Sequence, residues 1–252
     1  MSAYKDMHEL SIKDPDSFWS EAAKGIYWNR RWDAVCSEPT GEDPGYRWFK
    51  GGKLNTCYNA VDRHVKEGRG EQNAIIYDSP VTGQVQHYTY NQLLDEVSRL
   101  AGLIRDQGVG KGDRVIIYMP MIPQAVFAML ACARLGAVHS VVFGGFAGKE
   151  LATRVDDAKA KLILAASCGI EPTRVVPYMP MVNEALELST HQPEAGVLVW
   201  QREQQPAELK EGRDKDWKAL VDSVVPADCT IVDATDPLYI LYTSGTTGTP
   251  KG

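Results

Sequence analysis

Asp113-Arg114-Val115-Ile116-Ile117-Tyr118, Val138-His139-Ser140-Val141-Val142 and Lys161-Leu162-Ile163-Leu164-Ala165 are short apolar runs divided by stretches with a different rhythm. Ile122 to Leu135 reads as a helix that stops at Gly136, and Lys149 to Ala158 reads as a second. Strand, helix, strand, helix, strand with such short connections predicts a parallel sheet with right-handed crossovers, an α/β fold. Pro120 and Pro123 fall before and inside the first helical turn, where a missing N–H costs little.

Upstream, Ala74-Ile75-Ile76-Tyr77 and Val85-Gln86-His87-Tyr88-Thr89 flank Ser79-Pro80-Val81-Thr82-Gly83, a strand–turn–strand pattern. Tyr90 to Asp106 carries apolar residues at Leu93, Val97, Leu100, Leu103 and Ile104, a helical spacing closed by Gly108. Downstream of Ser167 the pattern weakens, and it recovers at Gly196-Val197-Leu198-Val199-Trp200. Gln201 to Asp216 is charged and reads as a solvated excursion. Pro237-Leu238-Tyr239-Ile240-Leu241-Tyr242 is a last apolar strand.

Residues 1–66 differ from the rest. Trp19, Trp28, Trp32 and Trp48 gather there with Tyr27, Tyr46 and Phe49, the mark of an extended arm fixed to a core by aromatic side chains. Asp14-Pro15-Asp16-Ser17 looks like a helix start, and Glu38 to Gly45 is turn chemistry. The expected organisation is an arm over 1–66 and an α/β domain over 67–252.

The composition is that of an ordinary globular chain: 252 residues, 44% hydrophobic, 24% charged. A net charge of -6 with scattered Lys and Arg excludes a nucleic-acid footprint. Cys36, Cys57, Cys132, Cys168 and Cys229 are widely spaced without a CxxC pair, so the sequence indicates neither a metal site nor a disulfide framework. Thiols scattered in this way suit a reducing compartment, and the cytoplasm is the expectation. The acidic start is no signal peptide, and the apolar stretch from Ala125 to Val138 is broken by Arg134 and too short for a membrane span.

The chemistry is concentrated in Thr243-Ser244-Gly245-Thr246-Thr247-Gly248-Thr249-Pro250-Lys251-Gly252. Its glycines allow tight turns and close approach to a ligand. Exposed N–H groups in such a loop form an anion-binding concavity, and Lys251 adds a mobile cation suited to polyphosphate. The loop follows a strand, which places it at the carboxyl edge of the sheet. It is not a Walker A loop, because no Gly-Lys-Ser/Thr triplet occurs. His139 lies inside an apolar strand and reads as a hydrogen-bonded structural histidine, and His64 as an arm-anchoring residue.

Leu241 to Gly252 resembles the signature loop of the adenylate-forming superfamily of acyl-CoA synthetases, luciferases and peptide-synthetase adenylation domains. Trp48-Phe49-Lys50-Gly51-Gly52-Lys53-Leu54-Asn55, with Asn59, Asp62, Arg63 and His64, resembles the start of short-chain acetyl- and propionyl-CoA synthetases. So does Gly136-Ala137-Val138-His139-Ser140-Val141-Val142-Phe143-Gly144-Gly145-Phe146. The resemblance implies a ligase that joins a short-chain carboxylate to CoA through an acyl adenylate, using Mg-ATP. It implies that Thr243, Ser244, Gly245, Thr246, Thr247, Gly248 and Thr249 hold the ATP phosphates, with Lys251 as the catalytic cation.

By the same resemblance Glu171-Pro172-Thr173-Arg174 matches the stretch that meets the CoA nucleotide. Glu171 departs from the basic residue common in acetyl-CoA synthetases, which favours a propionyl-type acid. The sequence stops inside the phosphate loop, so it reads as the front part of a longer enzyme and as inactive by itself. The competing readings are a non-catalytic binding module built on the same half-domain, and another adenylate former such as an adenylation domain. The arm argues against the latter.

Overall fold

The computed structural model of the chain describes residues 3–41, 45–243 and 252. Two helices come first, α1 (Ala3–Lys13) and α2 (Pro15–Ala22). α2 begins where expected: the Asp14 carboxylate accepts the Ser17 N–H at 3.1 Å, and Pro15 fills a first-turn position that needs no donor. An antiparallel ribbon follows, β1 (Ala34–Ser37) with β2 (Arg47–Lys50), then the short β3 (Lys53–Leu54). Two wide helical turns, Tyr58–Asp62 and Val65–Arg69, complete this part.

β4 (Asn73–Ser79) and β5 (Gln84–Thr89) form the expected hairpin, which stands apart from the main sheet. α3 (Tyr90–Asp106) starts in a capping box: the Thr89 hydroxyl accepts the Gln92 N–H while the Gln92 side chain accepts the Thr89 N–H. The alternating region is β6 (Arg114–Met119), α4 (Pro123–Leu135), β7 (Val138–Phe143), α5 (Gly148–Ala158) and β8 (Leu162–Ala166). Gly136 ends α4 at φ +70°, a left-handed cap that glycine adopts without strain. Then come the hairpin β9 (Cys168–Glu171) and β10 (Arg174–Pro177), α6 (Met179–Leu188), β11 (Val197–Trp200) and β12 (Asp214–Asp216). α7 (Trp217–Val221), β13 (Val232–Asp233) and β14 (Tyr239–Ile240) close the order.

Six strands share one sheet in the order β12-β11-β8-β6-β7-β14, every neighbouring pair parallel. α3 packs with α4, and α5 with α6. The chain reverses its direction across the sheet after β7, so right-handed crossovers place these two helix pairs on opposite faces. Ile116, Ile117, Leu162, Ile163 and Leu164 are fully buried between them. Side chains of that size contribute roughly 1.5–3 kcal/mol each on burial. This is the α/β fold, helix-flanked and parallel, that the alternation predicts.

The segment after Ser167 departs from the reading. It is a hairpin and a helix. The turn at Pro172-Thr173 separates two strands of only four residues each, too short for a period to register. The excursion from Gln201 returns to order at β12, because Val197, Leu198 and Val199 pair with Asp214, Lys215 and Asp216. α1 was not anticipated at all, and none of its residues is buried.

The arm also differs from expectation in how it is held. Its aromatic rings pack mostly on one another: Trp28 on Trp32 and Phe49, and Trp19 on Trp48. Trp19 and Trp48 stay 40% and 42% exposed. Residues 1–66 are tied to the rest by burial of Cys57 and Val61 in the core and by polar bonds. Asn55 Nδ2 donates to the Ala133, Arg134 and Thr230 carbonyls, Lys53 pairs with Asp233 at 2.8 Å, and Asp62 pairs with Arg134 at 2.8 Å. β3 is itself paired antiparallel with β13.

Candidate functional site

The strands β6, β7, β8, β11 and β14 run the same way, so the turns after Met119, Phe143, Ala166, Trp200 and Ile240 emerge along one edge of the sheet. Ligands of open α/β sheets bind at that edge. Two tyrosines pack behind it. Tyr118, at the end of β6, donates its hydroxyl proton to the Phe146 carbonyl at 2.7 Å and accepts the Gly145 N–H at 3.2 Å. Burial pushes its hydroxyl up to about 12, so it stays a neutral donor that holds the turn after β7. Tyr178 fills the space beside it, with ring centroids 5.1 Å apart. Gly144 and Gly169 approach Tyr178 so closely that a Cβ on either would lie 2.6 or 2.2 Å from its hydroxyl oxygen. The floor of this edge is therefore made of two tyrosines and two backbone turns.

β14 leads into Tyr242 and Thr243, just before the predicted phosphate-binding segment. It pairs parallel with β7, Tyr239 beside His139 and Ile240 beside Ser140. Tyr242 is held from α5: its hydroxyl donates to Asp157 at 2.5 Å, and the Arg154 guanidinium lies 5.3 Å from the ring centre. Arg154 is equally close to the Phe146 ring, so one side chain joins the turn after β7 to the base of the loop. Thr243 is exposed immediately beyond this anchor. Ser244, Gly245, Thr246, Thr247, Gly248, Thr249 and Lys251 lie outside the described residues.

The predicted CoA stretch occupies the tip of the β9–β10 hairpin, which leaves the carboxyl end of β8. Glu171, Pro172, Thr173 and Arg174 are all exposed. Arg174 Nε donates to Glu171 Oε2 at 2.7 Å, and this contact holds the Glu171 carboxyl below the usual carboxylate range. An exposed pair of this kind is held only weakly, so a phosphate can compete for the guanidinium. The sequence showed both residues but not that they face each other across a two-residue turn.

His139 is buried in β7, with its ring 5.9 Å from that of Tyr239. The expected hydrogen bond is missing at Nδ1, which has no partner among the described residues. Burial depresses its pKa to about 4. As pH falls below about 6.5, the unfolded chain takes up a proton that the folded chain refuses until about pH 4, so stability drops across that window by up to roughly 3 kcal/mol. His139→Gln should flatten this part of the stability–pH curve, as followed by urea unfolding at several pH values. An unchanged slope would show that carboxylates govern it instead.

Two families match the chain. The AMP-binding enzyme family matches residues 61–252, and the acetyl-coenzyme A synthetase N-terminus matches residues 4–60. The chain belongs to the AMP-binding enzyme family. Human acyl-CoA synthetase short-chain family member 3, mitochondrial, is 50% identical over 252 residues, which are all of this chain and 36% of that protein. Acetyl-coenzyme A synthetase of Serratia proteamaculans is 44% identical over 254 residues, covering 99% of this chain and 38% of that protein. In the structure of acetoacetyl-CoA synthetase from Streptomyces lividans, 99% of this chain superposes on 38% of that chain, with a TM-score of 0.85 and 27% identity. The chain thus spans well under half the length of these relatives.

Proposed function

We propose that this chain is the ATP-binding front part of a short-chain acid–CoA ligase. What supports the reading is that the Thr/Gly/Lys segment follows β14 in the sequence, β14 being a strand of the parallel sheet, in a chain whose residues 4–60 match the acetyl-coenzyme A synthetase N-terminus. In this reaction an oxygen of the acid's carboxylate bonds to the α-phosphorus of Mg-ATP and pyrophosphate leaves. The CoA thiolate then attacks the acyl carbon and AMP leaves. Thr243 to Thr249 and Lys251 would disperse charge on the β- and γ-phosphates as the first bond breaks, which is where fixed donors act most strongly. Tyr242, held by Asp157 and Arg154, sets the start of that loop. Propionate or acetate is the acid, with Glu171 favouring propionate.

No helix among the described residues is long and apolar enough to cross a membrane. Free thiols at Cys36, Cys57, Cys132, Cys168 and Cys229 support a reducing compartment, and we place the enzyme in the cytoplasm. The mitochondrial human relative makes the mitochondrion the alternative that fractionation would reveal.

The test is acid-dependent ATP–pyrophosphate exchange by the full-length polypeptide that contains this chain. Exchange with propionate or acetate supports the ligase; ATP binding without exchange favours a binding module. In the same assay Arg174→Ala should leave exchange nearly intact, since that half-reaction needs no CoA. It should raise the KM for CoA about tenfold, the size of one lost charge-assisted contact at an exposed site. A parallel fall in exchange and thioester formation would assign Arg174 to the fold.

A further inference from the structure

Cys57 lies at the end of the arm and Cys229 in the segment before β13, 172 positions apart in the sequence. The fold brings them to one place. Their sulfurs and a carboxylate oxygen of Asp62 all lie within 4.8 Å of one another. A metal does not fit there, because Arg134 already supplies the cation: its Nη1 donates to Asp62 at 2.8 Å, to Cys229 Sγ at 3.1 Å and to Cys57 Sγ at 3.7 Å. A second positive ion would have to sit against that guanidinium. What the cluster offers is two thiols side by side and a fixed positive charge touching both.

We propose that Cys57 and Cys229 form a peroxide-oxidised dithiol site, closing to a disulfide that joins the arm to the segment leading into β13. Cys57 is fully buried, whereas Cys229 is half-buried and is the sulfur a small peroxide reaches first. The Cys229 sulfur bonds to one peroxide oxygen and the O–O bond breaks. Its proton leaves with the departing oxygen as water, by way of the Asp62 carboxylate that it faces at 3.7 Å. The Cys57 sulfur then attacks the Cys229 sulfenic sulfur, the S–S bond forms, the S–O bond breaks, and the hydroxide leaves as a second water with the Cys57 proton. Two thiols lose two electrons and two protons, and the peroxide becomes two waters.

The hydrogen bond from Cys229 and, against the cost of burial, the charge of Arg134 hold the Cys57 thiol below its ordinary value. That prepares Cys57 for the resolving step, because the thiolate is the nucleophile. The same hydrogen bond, with burial, pushes the Cys229 thiol well up, so Cys229 attacks only as its proton passes to Asp62. Closing the disulfide brings the sulfurs from within 4.8 Å to the bonding distance of about 2.05 Å. The other thiols lack this setting. Cys132 is buried, and burial alone pushes it up to about 12.

The experiment treats the folded full-length protein with hydrogen peroxide and maps its peptides without reduction. Expected is a Cys57–Cys229 cross-linked peptide, lighter by two hydrogen atoms and released by a thiol reductant. Cys36, Cys132 and Cys168 should stay titratable. Cys57→Ser and Cys229→Ser should each abolish the cross-link, and Cys36→Ser should not. The wild-type map decides the matter if either variant fails to fold. The proposal is overturned if both thiols survive peroxide, if Cys229 runs on to sulfinic acid with Cys57 untouched, or if either partner links to another cysteine.

Discussion

Asp62→Ala is expected to destabilise the protein by about 3–5 kcal/mol, the usual cost of stripping one partner from a buried ion pair. Arg134 is 4% exposed and Asp62 9%, so the guanidinium left behind would have neither its counter-ion nor water. Its remaining partners are the Ala227 carbonyl at 2.6 Å and the two sulfurs, which supply less compensation than a carboxylate. Replacing both partners, as in Asp62→Ala with Arg134→Met, should recover most of the loss, because no charge is then buried. Urea unfolding of the two single variants and the double variant measures this directly. A loss below about 1 kcal/mol for Asp62→Ala would mean the pair behaves as a surface salt bridge.

Lys251→Ala should slow adenylate formation about a hundred- to a thousandfold while leaving the affinity for the carboxylic acid nearly unchanged. The expectation rests on the proposed ligase activity and on the placement of Lys251 after the Thr/Gly loop that follows β14. One charged donor acting on the developing pyrophosphate is worth about 2.7–4 kcal/mol when it works mainly in the transition state. Single-turnover adenylation by the full-length protein is the measurement. A rate within twofold of wild type would remove this lysine from the chemistry.

The sheet was legible because burial on both faces makes parallel strands into continuous apolar runs, as at Val115 to Tyr118 and Leu162 to Ala166. Two helix ends were legible through local chemistry, at Asp14 and Gly136, and α3 through its apolar spacing from Leu93 to Ile104, whereas the Thr89–Gln92 box that starts it emerged only in the structure. The β9–β10 hairpin was not, since its pairing depends on a turn within a short, half-exposed stretch. The Cys57, Asp62, Arg134 and Cys229 cluster was invisible for another reason. Its members lie 5, 72 and 95 positions apart, and only the packing of residues 57–62 and of the segment before β13 against α4 assembles them. The predicted site divides in the same way. The Glu171–Arg174 stretch has a described position at the carboxyl edge, and the loop beyond Thr243 was read from its residues alone.

The pairing of β3 with β13 has a consequence for the order of events at the ribosome. Lys53 and Asn55 emerge early, yet their partners Asp233 and Thr230 lie 180 and 175 positions later. At about 5–20 residues per second, the arm waits roughly 10–35 s before the strand it joins has been made. During that interval Trp28, Trp32 and Phe49 can bury apolar surface against one another, which needs nothing downstream. The aromatic knot within the arm thus suits a nascent chain: it keeps this segment folded on itself until β13 arrives to receive it.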